Sequence, residues 1–180
     1  ITDTIQSNIP MHLRDPEGLW TGLSVRARTI VYSTDRVDPS ELSTYSDLAT
    51  EKWTGKLCLR TSKKIYTKSL VASIIHNQGQ EKATEIVSGW VNNLAAVPNA
   101  KDSHIMDAIL AGQCDVGLVN TYYYGQLIEK TPDAALKLFW ANQDTTGVHV
   151  NVSGAGVTKH ASNAADATKL LEWLSSAKAQ

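Results

Sequence analysis

Three tyrosines stand in a row at Tyr122, Tyr123 and Tyr124. They follow the apolar run 114–119, which is typical of a short buried strand, and they precede 125–130, which favours a helix. A strand end that opens into a helix is where open α/β sheets place their ligand sites. Neighbouring side chains point to opposite faces of a strand, whereas in the first helical turn they lie about 100° apart and can face one cleft.

Converging phenol groups suit few ligands. An unperturbed tyrosine has a pKa of about 10, so at neutral pH it is a poor base and a poor nucleophile. A trivalent hard cation changes this, because hard ions prefer oxygen ligands and a bound metal deprotonates them. Three phenolates would neutralise Fe³⁺. Two alternatives stay open, namely packing of the aromatic rings at an element junction and stacking of exposed rings on a sugar or an organic cation.

The two cysteines, Cys58 and Cys114, suggest that a tyrosine from elsewhere in the chain, Tyr66, joins this group. Each cysteine lies in a short apolar run. The sharper hypothesis is a disulfide between neighbouring strands, which would indicate an oxidising compartment; two free buried thiols are the alternative. Tyr66 follows the first cysteine by eight residues (66 − 58), and Tyr122 follows the second by eight (122 − 114). If the cysteines pair across adjacent parallel strands, Tyr66 approaches Tyr122 and Tyr123 at one sheet edge.

Polar residues near these tyrosines are candidates for an anion site. Arg26 and Arg28 fall on the same face of the strand predicted at 20–33. Such a pair is usually a solvated strand edge, but two arginines that face a cleft would attract an anion. Thr61 and Ser62, with the amides at the start of the following helix, are further candidates beside a metal. Ordinary helix capping is the alternative for these two residues.

Composition narrows the function classes. The chain has 180 residues, with 42% hydrophobic and 19% charged content and a formal net charge of −1. These values suit one globular domain or slightly more, and no basic surface for nucleic acid is indicated. No apolar run approaches the length of a membrane span. We find no nucleophile–base pattern and no phosphate loop, so we expect no enzyme. The chain begins at Ile1 without a signal-like segment, and we expect a mature or trimmed product.

The predicted elements alternate between strands and helices. We expect strands at 20–33, around Cys58, at 114–119, at 135–140 and at 148–152. We expect helices at 41–49, 67–77, 80–96, from a cap at Asp102 or Ser103 to Leu110, and at 163–177, with Asn120 or Thr121 as the cap of the tyrosine helix. This alternation predicts an α/β fold with a mostly parallel central sheet flanked by helices.

Four segments of the chain resemble the periplasmic ferric-ion-binding proteins, which feed bacterial iron ABC importers and have the two-lobed periplasmic-binding-protein fold. The segments are Leu23–Tyr32, Leu57–Ser62, Cys114–Tyr124 and Ser153–Val157. The resemblance implies that Tyr122 and Tyr123 bind iron. In the tyrosine-rich subgroup a third ligand lies early in the helix after the Arg-Thr-Ser turn, which corresponds to Tyr66. Tyr124 occupies the next aromatic position, which is not usually a ligand.

The resemblance also implies the biological role. It predicts a non-enzymatic periplasmic protein that binds Fe³⁺ and delivers it to an ABC permease in the inner membrane. Some members bind a synergistic anion such as carbonate or phosphate. The positions expected to hold that anion are Arg26 or Arg28, Thr61, Ser62 and Asn120. A periplasmic-type lobe for another ligand, such as an organic anion, is the alternative.

Members of that family are typically much longer than this chain. The resemblance therefore implies a fragment that lacks most of the first lobe. Residues 26–147 would form the second lobe, which carries the tyrosines. Residues 1–25 would hold a remnant of the first lobe and the start of a crossover strand, and 148–180 the return crossover and a helix of the first lobe. We expect such a fragment to bind iron weakly, or with water or buffer anions at the vacant positions.

Overall fold

The structure is a computed structural model that describes residues 1–180. The chain forms two compact units. The first, here called the terminal unit, contains Ile1–Arg26 and Val150–Gln180. The second, here called the tyrosine unit, contains Ala27–His149 and therefore all six tyrosines and both cysteines.

Five strands and six α-helices follow along the chain. The strands are β1 (Thr21–Ser33), β2 (Leu57–Cys58), β3 (Val116–Asn120), β4 (Leu136–Phe139) and β5 (His149–Ala155). The helices are α1 (Asp3–Asn8), α2 (Ile65–Gln78), α3 (Gln80–Asn92), α4 (Asp102–Leu110), α5 (Thr121–Lys130) and α6 (Ala164–Ser175). Short 3₁₀ turns lie at Met11–Leu13, Pro39–Glu41, Asp47–Ala49 and Glu51–Trp53. None of the helices has the length and apolar character that a membrane crossing requires.

The terminal unit is a small pairing of helices. In it α1 packs against α6, with Ile5 and Leu171 buried. The Thr2 hydroxyl donates to a carboxylate oxygen of Glu172 at 2.7 Å, and its oxygen also caps α1 at the backbone amide of Ile5. These contacts hold the amino-terminal helix against the carboxyl-terminal one.

The sheet is mixed, which differs from the mostly parallel sheet that the alternation of elements predicted. Its strand order is β2-β3-β1-β4, and β5 pairs with β1. The pair β2–β3 is parallel, whereas β1 runs antiparallel to both β3 and β4. Strands β2, β3 and β4 run in one direction, and the mixed character arises because β1 lies between β3 and β4 in the opposite direction. The α/β class is confirmed, with helices on both faces of this sheet.

The two faces of the sheet in the tyrosine unit bury different clusters. On β1, Ile30 and Tyr32 point to one side and Val31 to the other, as the period of two in a strand requires. The first cluster contains residues of α2 and α3, including Leu70, Ile74, Ile86 and Trp90. The second cluster contains residues of α4 and α5, including Ile105, Met106, Ile109 and Leu127. The core therefore fixes both helices whose first turns carry the tyrosines.

The helix predicted at 41–49 is wrong, since this stretch forms two separate 3₁₀ turns. The break lies at Tyr45, whose side chain is buried in the core. The Tyr45 amide donates to Oδ1 of Asn142 at 2.9 Å, and its hydroxyl donates to the backbone oxygen of Arg28. These long-range hydrogen bonds replace the local ones of a helix. The helix predicted to Ala96 ends at Asn92, because the Asn93 side chain instead bonds the carbonyls of Leu48 and Thr50.

A glycine in β3 allows α4 to lie close to the sheet. A Cβ atom at Gly117 would overlap Cγ2 of Ile105 and come within 2.9 Å of the Cys58 carbonyl oxygen. We therefore expect Gly117→Ala to lower the free energy of unfolding by about 1–3 kcal/mol, measured by chemical denaturation. The matched control is Gly125→Ala, where an added Cβ meets no atom within 4 Å. That change should raise the free energy by about 0.5–1 kcal/mol, since alanine favours a helix interior, and equal effects at the two glycines would contradict the packing argument.

Candidate metal centre

Parallel strands bring the three tyrosines of interest to one edge of the sheet. In the β2–β3 pair, Cys58 lies opposite Gly117, so the carboxyl ends of both strands meet at the same edge. Tyr66 is the second residue of α2, which follows β2. Tyr122 and Tyr123 lie in the first turn of α5, which follows β3 directly. The order strand, helix start, tyrosine is thus repeated twice, side by side.

The hydroxyl groups of these tyrosines converge. The oxygens of Tyr122 and Tyr66 lie 3.4 Å apart, with Tyr122 as the donor. Two oxygens that each lie about 2 Å from one small hard ion are at most about 4 Å apart, so the observed spacing suits a shared ion. The rings of Tyr122 and Tyr123 have centroids 4.3 Å apart and are tilted by 33°. Tyr122 is 36% exposed, so an ion can reach its oxygen from solvent.

Tyr124 does not join this group. It follows Tyr123 on α5, but its hydroxyl donates to the backbone oxygen of Leu136 at 3.1 Å. Burial is the main cause that raises the pKa of Tyr124, and the neighbouring Tyr32 adds to it. The third tyrosine of the run is therefore a packing residue between α5 and β4.

The environment keeps Tyr122 protonated at neutral pH. Burial raises its pKa most, and the hydrogen-bonding hydroxyls of Tyr123 and Tyr66 raise it further. The side chain of Asn120 acts in the opposite direction and lowers this pKa. Without a cation, Tyr122 resists ionisation because its phenolate would lose favourable hydration and face the neighbouring phenol oxygens. A bound cation reverses this preference for the protonated form, because it stabilises the phenolate that remains when a proton is lost.

A buried ionic cluster lies beneath the tyrosines. The Asp102 carboxylate has no exposed surface and accepts from NH1 of Arg28 and NH1 of Arg60, each at 3.1 Å. It also accepts from the backbone amide of Asn120 at 2.8 Å. Two guanidinium groups share one carboxylate, so the cluster carries one uncompensated positive charge. This excess charge favours phenolate or another anion at the neighbouring site.

Arg60 connects this cluster to the tyrosines. Its guanidinium carbon lies 4.7 Å from the ring centroid of Tyr66. Burial lowers the pKa of Arg60, but a hydrogen bond with Tyr123 and the charge of Asp102 outweigh burial and raise it. Sequence reasoning missed Arg60 as a site residue. The available signal was its place as the first polar residue after the apolar run of β2.

The candidates for an anion site lie in different surroundings. Asn120 is only 1% exposed; its Oδ1 accepts from Arg28 at 3.3 Å, whereas its Nδ2 has no hydrogen-bond partner of normal geometry. The side chain of Asn120 lowers the pKa of Tyr122, which supports a position near the Tyr122 hydroxyl. Arg28 donates to the buried cluster through NH1 and NH2, while its Nε has no hydrogen-bond partner; burial lowers its pKa and Asp102 partly offsets the effect. Asn120 occupies the predicted cap position of α5 but makes no capping hydrogen bond there.

The other candidates make local contacts. Arg26 belongs to the terminal unit, where its NH1 donates to Oγ of Ser153 at 2.8 Å. The hydroxyl oxygen of Thr61 accepts from the backbone amide of Lys63 at 3.3 Å, as in a turn that precedes a helix. Ser62 is exposed in the same turn. Arg60 and Asn120 are therefore the anion-compatible side chains that the structure brings to the tyrosines.

The two cysteines form a disulfide, Cys58–Cys114, with Cα atoms 5.9 Å apart, and this pairing is confirmed. Cys114 lies two residues before β3, so the bond joins the end of β2 to the approach to β3. No group of three or more histidine, cysteine, aspartate or glutamate side chains is arranged to hold a metal ion. The tyrosines are thus the oxygen donors whose arrangement suggests a metal.

Comparison with known proteins decides the family. Residues 1–180 match the family described as bacterial extracellular solute-binding protein. The chain belongs to this family. The resemblance found in the sequence segments is therefore confirmed.

Several relatives in this family have names that refer to iron. The chain is 41% identical to iron uptake protein A1 of Synechocystis sp., over 99% of this chain and 51% of that protein. It is 27% identical to the major ferric iron-binding protein of Neisseria meningitidis, over 89% of this chain and 49% of that protein. A solved structure from Trichodesmium, described as FutA in complex with iron and citrate, matches with a TM-score of 0.91 and 43% identity. That match covers 99% of this chain and 58% of the solved chain.

These matches confirm the periplasmic-binding-protein-like fold. They also give the extent of the likeness, since the chain spans about half the length of the curated relatives it matches.

Proposed function

We propose that this chain binds Fe³⁺ through the phenolates of Tyr66, Tyr122 and Tyr123. The observation that carries the proposal is the convergence of these three hydroxyl groups above one uncompensated guanidinium charge. Hard trivalent ions prefer oxygen ligands, and three phenolates match the charge of the ferric ion. The names of the relatives, which refer to iron uptake, ferric iron binding and a complex with iron, support the same cargo.

A carboxylate-type anion would complete the ligand set. Arg60 has a buried Nε atom without a hydrogen-bond partner, and Asn120 has a buried Nδ2 atom in the same condition. Buried donors of this kind are costly unless a ligand satisfies them. Carbonate or a small organic carboxylate has oxygens that can accept from both donors. The Trichodesmium protein described with iron and citrate supports an anion beside the metal.

The family supports a role for this binding in transport. Its members are described as bacterial extracellular solute-binding proteins, which supports a role in binding rather than catalysis. We infer a periplasmic carrier that delivers ferric ion to an ABC permease in the inner membrane. In this scheme the tyrosine unit corresponds to the second lobe of the carrier. The terminal unit corresponds to the crossovers and part of the first lobe.

Replacing single hydroxyl groups tests the metal centre. Adding ferric ion should produce a visible phenolate-to-iron charge-transfer band. Tyr66→Phe and Tyr122→Phe should each weaken or shift this band, because each removes one ligand oxygen and keeps the ring. Each change should lower the affinity for ferric ion by at least the roughly 10–100-fold that loss of an outer-sphere partner costs a metal site. Absorption spectroscopy and competition with a chelator measure the two effects.

Tyr124→Phe is the matched control for these variants. It removes the neighbouring hydroxyl of the same helix, which bonds Leu136 rather than the converging group. The band of this variant should equal that of the unmodified protein. If Tyr66→Phe and Tyr122→Phe behave like Tyr124→Phe while ferric ion still binds, the tyrosine assignment is wrong.

The uncompensated charge also favours a second candidate function, which is binding of an organic anion without metal. Titration with citrate in the absence of iron separates the two. Under the iron proposal, citrate alone binds weakly and gains affinity when ferric ion is present. Tight citrate binding that ferric ion does not change would favour the second function.

A further inference from the structure

We propose that Asp102 is a positioning residue that sets the geometry of the tyrosine centre. The proposal rests on the proposed ferric-ion site and names a group that touches neither the metal nor a phenol. Asp102 is the first residue of α4, and its carboxylate is entirely buried. It acts on the centre along two routes, one through Arg60 and one through Asn120.

The first route fixes the guanidinium of Arg60. One nitrogen of this group, NH1, donates to Oδ1 of Asp102. The guanidinium plane therefore has a set position, with its carbon 4.7 Å from the Tyr66 ring centroid. Burial lowers the pKa of this group, and Tyr123 is the main cause that raises it, which supports a phenol close to the guanidinium. Asp102 thus fixes one cation against two of the three tyrosines, which come from different helices.

The second route fixes the start of α5. Oδ2 of Asp102 accepts from the backbone amide of Asn120, the last residue of β3. The same oxygen accepts from Arg28, which in turn donates to Oδ1 of Asn120. The residue that precedes the tyrosine helix is therefore held at both its backbone and its side chain. Tyr122 and Tyr123 follow within one helical turn, so their direction depends on this anchor.

Only a carboxylate can make this set of contacts. Its two oxygens accept from two guanidinium groups and one amide without offering a proton in return. Asparagine has nearly the same shape but one acceptor oxygen and an NH₂ group that donates. At position 102 that NH₂ group would face a guanidinium, which has no acceptor. Asp102→Asn therefore releases one arginine while changing little of the volume.

The test compares Asp102→Asn with Asp115→Asn. Asp115 is a matched control, because it also pairs with an arginine, Arg36, and lies just before β3 at the end remote from the tyrosines. We expect Asp102→Asn to weaken ferric-ion binding about 10–100-fold and to shift the charge-transfer band. Asp115→Asn should leave the band position and the affinity unchanged. Chemical denaturation of each variant measures the folded fraction, so that binding is compared for folded protein only.

A double-mutant cycle tests the route through Arg60. Arg60→Met removes the charge and keeps an apolar chain near the Tyr66 ring. If Asp102 acts through Arg60, adding Asp102→Asn to Arg60→Met should cost clearly less than Asp102→Asn costs alone. Full additivity of the two losses would overturn this route. A folded Asp102→Asn protein with unchanged affinity and band would overturn the proposal as a whole.

Two further outcomes keep the proposal and the proposed function apart. If Asp102→Asn does not fold, Arg60→Met carries the test, since an unchanged band in that variant shows that the tyrosines need no positioning by the cluster. If the unmodified protein gives no charge-transfer band with ferric ion, the proposed function is wrong. The positioning role, which depends on that function, is then wrong as well. A band that is present in the unmodified protein and insensitive to Asp102→Asn overturns the positioning role alone.

Discussion

Lowering the pH by one unit should weaken the binding of free ferric ion by about a thousandfold. The metal-free centre holds Tyr122 protonated, because burial and the neighbouring hydroxyls raise the pKa of Tyr122 above its ordinary value. Binding must therefore expel one proton from each of three phenols. Each proton released contributes a tenfold change in the binding constant per pH unit. Because protons are products of binding, a lower pH shifts the equilibrium toward the metal-free protein and weakens binding.

Competition with a chelator of known proton linkage measures this slope, since free ferric ion itself hydrolyses. The logarithm of the binding constant for free Fe³⁺, plotted against pH between about 5 and 8, should have a slope near three. Tyr122→Phe supplies the internal comparison, because two phenols should give a slope near two. A slope of one or less in the unmodified protein would show that the phenols do not bind as phenolates. Stacking of the rings on a sugar or an organic cation would then describe the site better.

The approach of Tyr66 to Tyr122 could be predicted from the sequence, because both segments show the same order of apolar strand, helix start and tyrosine. Both tyrosines follow a cysteine by eight residues, and each lies just inside a helix that follows a strand. Parallel neighbouring strands present their carboxyl ends, and the helices that follow them, at the same edge of a sheet. The structure has the parallel pair and the disulfide, but Cys58 lies opposite Gly117 rather than Cys114, so the equal spacing alone does not set the heights of the two tyrosines. The role of these phenols as ligands remains a prediction.

The buried ionic cluster beneath the tyrosines could not be predicted from the sequence in the same way. Arg28, Arg60 and Asp102 come from three separate segments, and no spacing along the chain relates them. They meet because β1 lies antiparallel beside β3, an arrangement that the alternation of strands and helices did not indicate. Sequence reasoning placed Arg28 with Arg26 as a candidate anion site. The structure buries Arg28 in an ion pair, and it leaves Arg26 beside Ser153 in the terminal unit.

Local propensity was also insufficient where distant groups compete for the backbone. The stretch 41–49 has a helical pattern of apolar residues, yet Asn142 accepts the amide of Tyr45 and prevents a continuous helix. Asn142 is the one non-glycine residue with a positive φ, at 62°, and this turn sets its side chain toward Tyr45. Such a contact spans almost a hundred residues. Propensity summed over a short window contains no information about it.

Replacing both cysteines by alanine should lower the free energy of unfolding of the tyrosine unit by about 4 kcal/mol. The bond Cys58–Cys114 closes a loop between residues that are 56 apart in sequence, and opening it restores chain entropy to the unfolded state. Both side chains are buried, so alanine avoids placing a polar hydroxyl in the core. Denaturant titration with tryptophan fluorescence follows this unit through the core residues Trp53 and Trp90.

The same bond should matter less for iron than for stability, and that difference separates its two possible roles. The strand pair β2–β3 and the cluster around Asp102 already hold Tyr66 and Tyr122 at one edge without the disulfide. We therefore expect the folded double-alanine variant to keep the charge-transfer band. Reductant should lower the stability of the unmodified protein toward that of the variant and leave the variant unchanged. If the variant stays folded but loses the band, the disulfide positions the tyrosines, and the register of two short strands is not sufficient to bring their oxygens together.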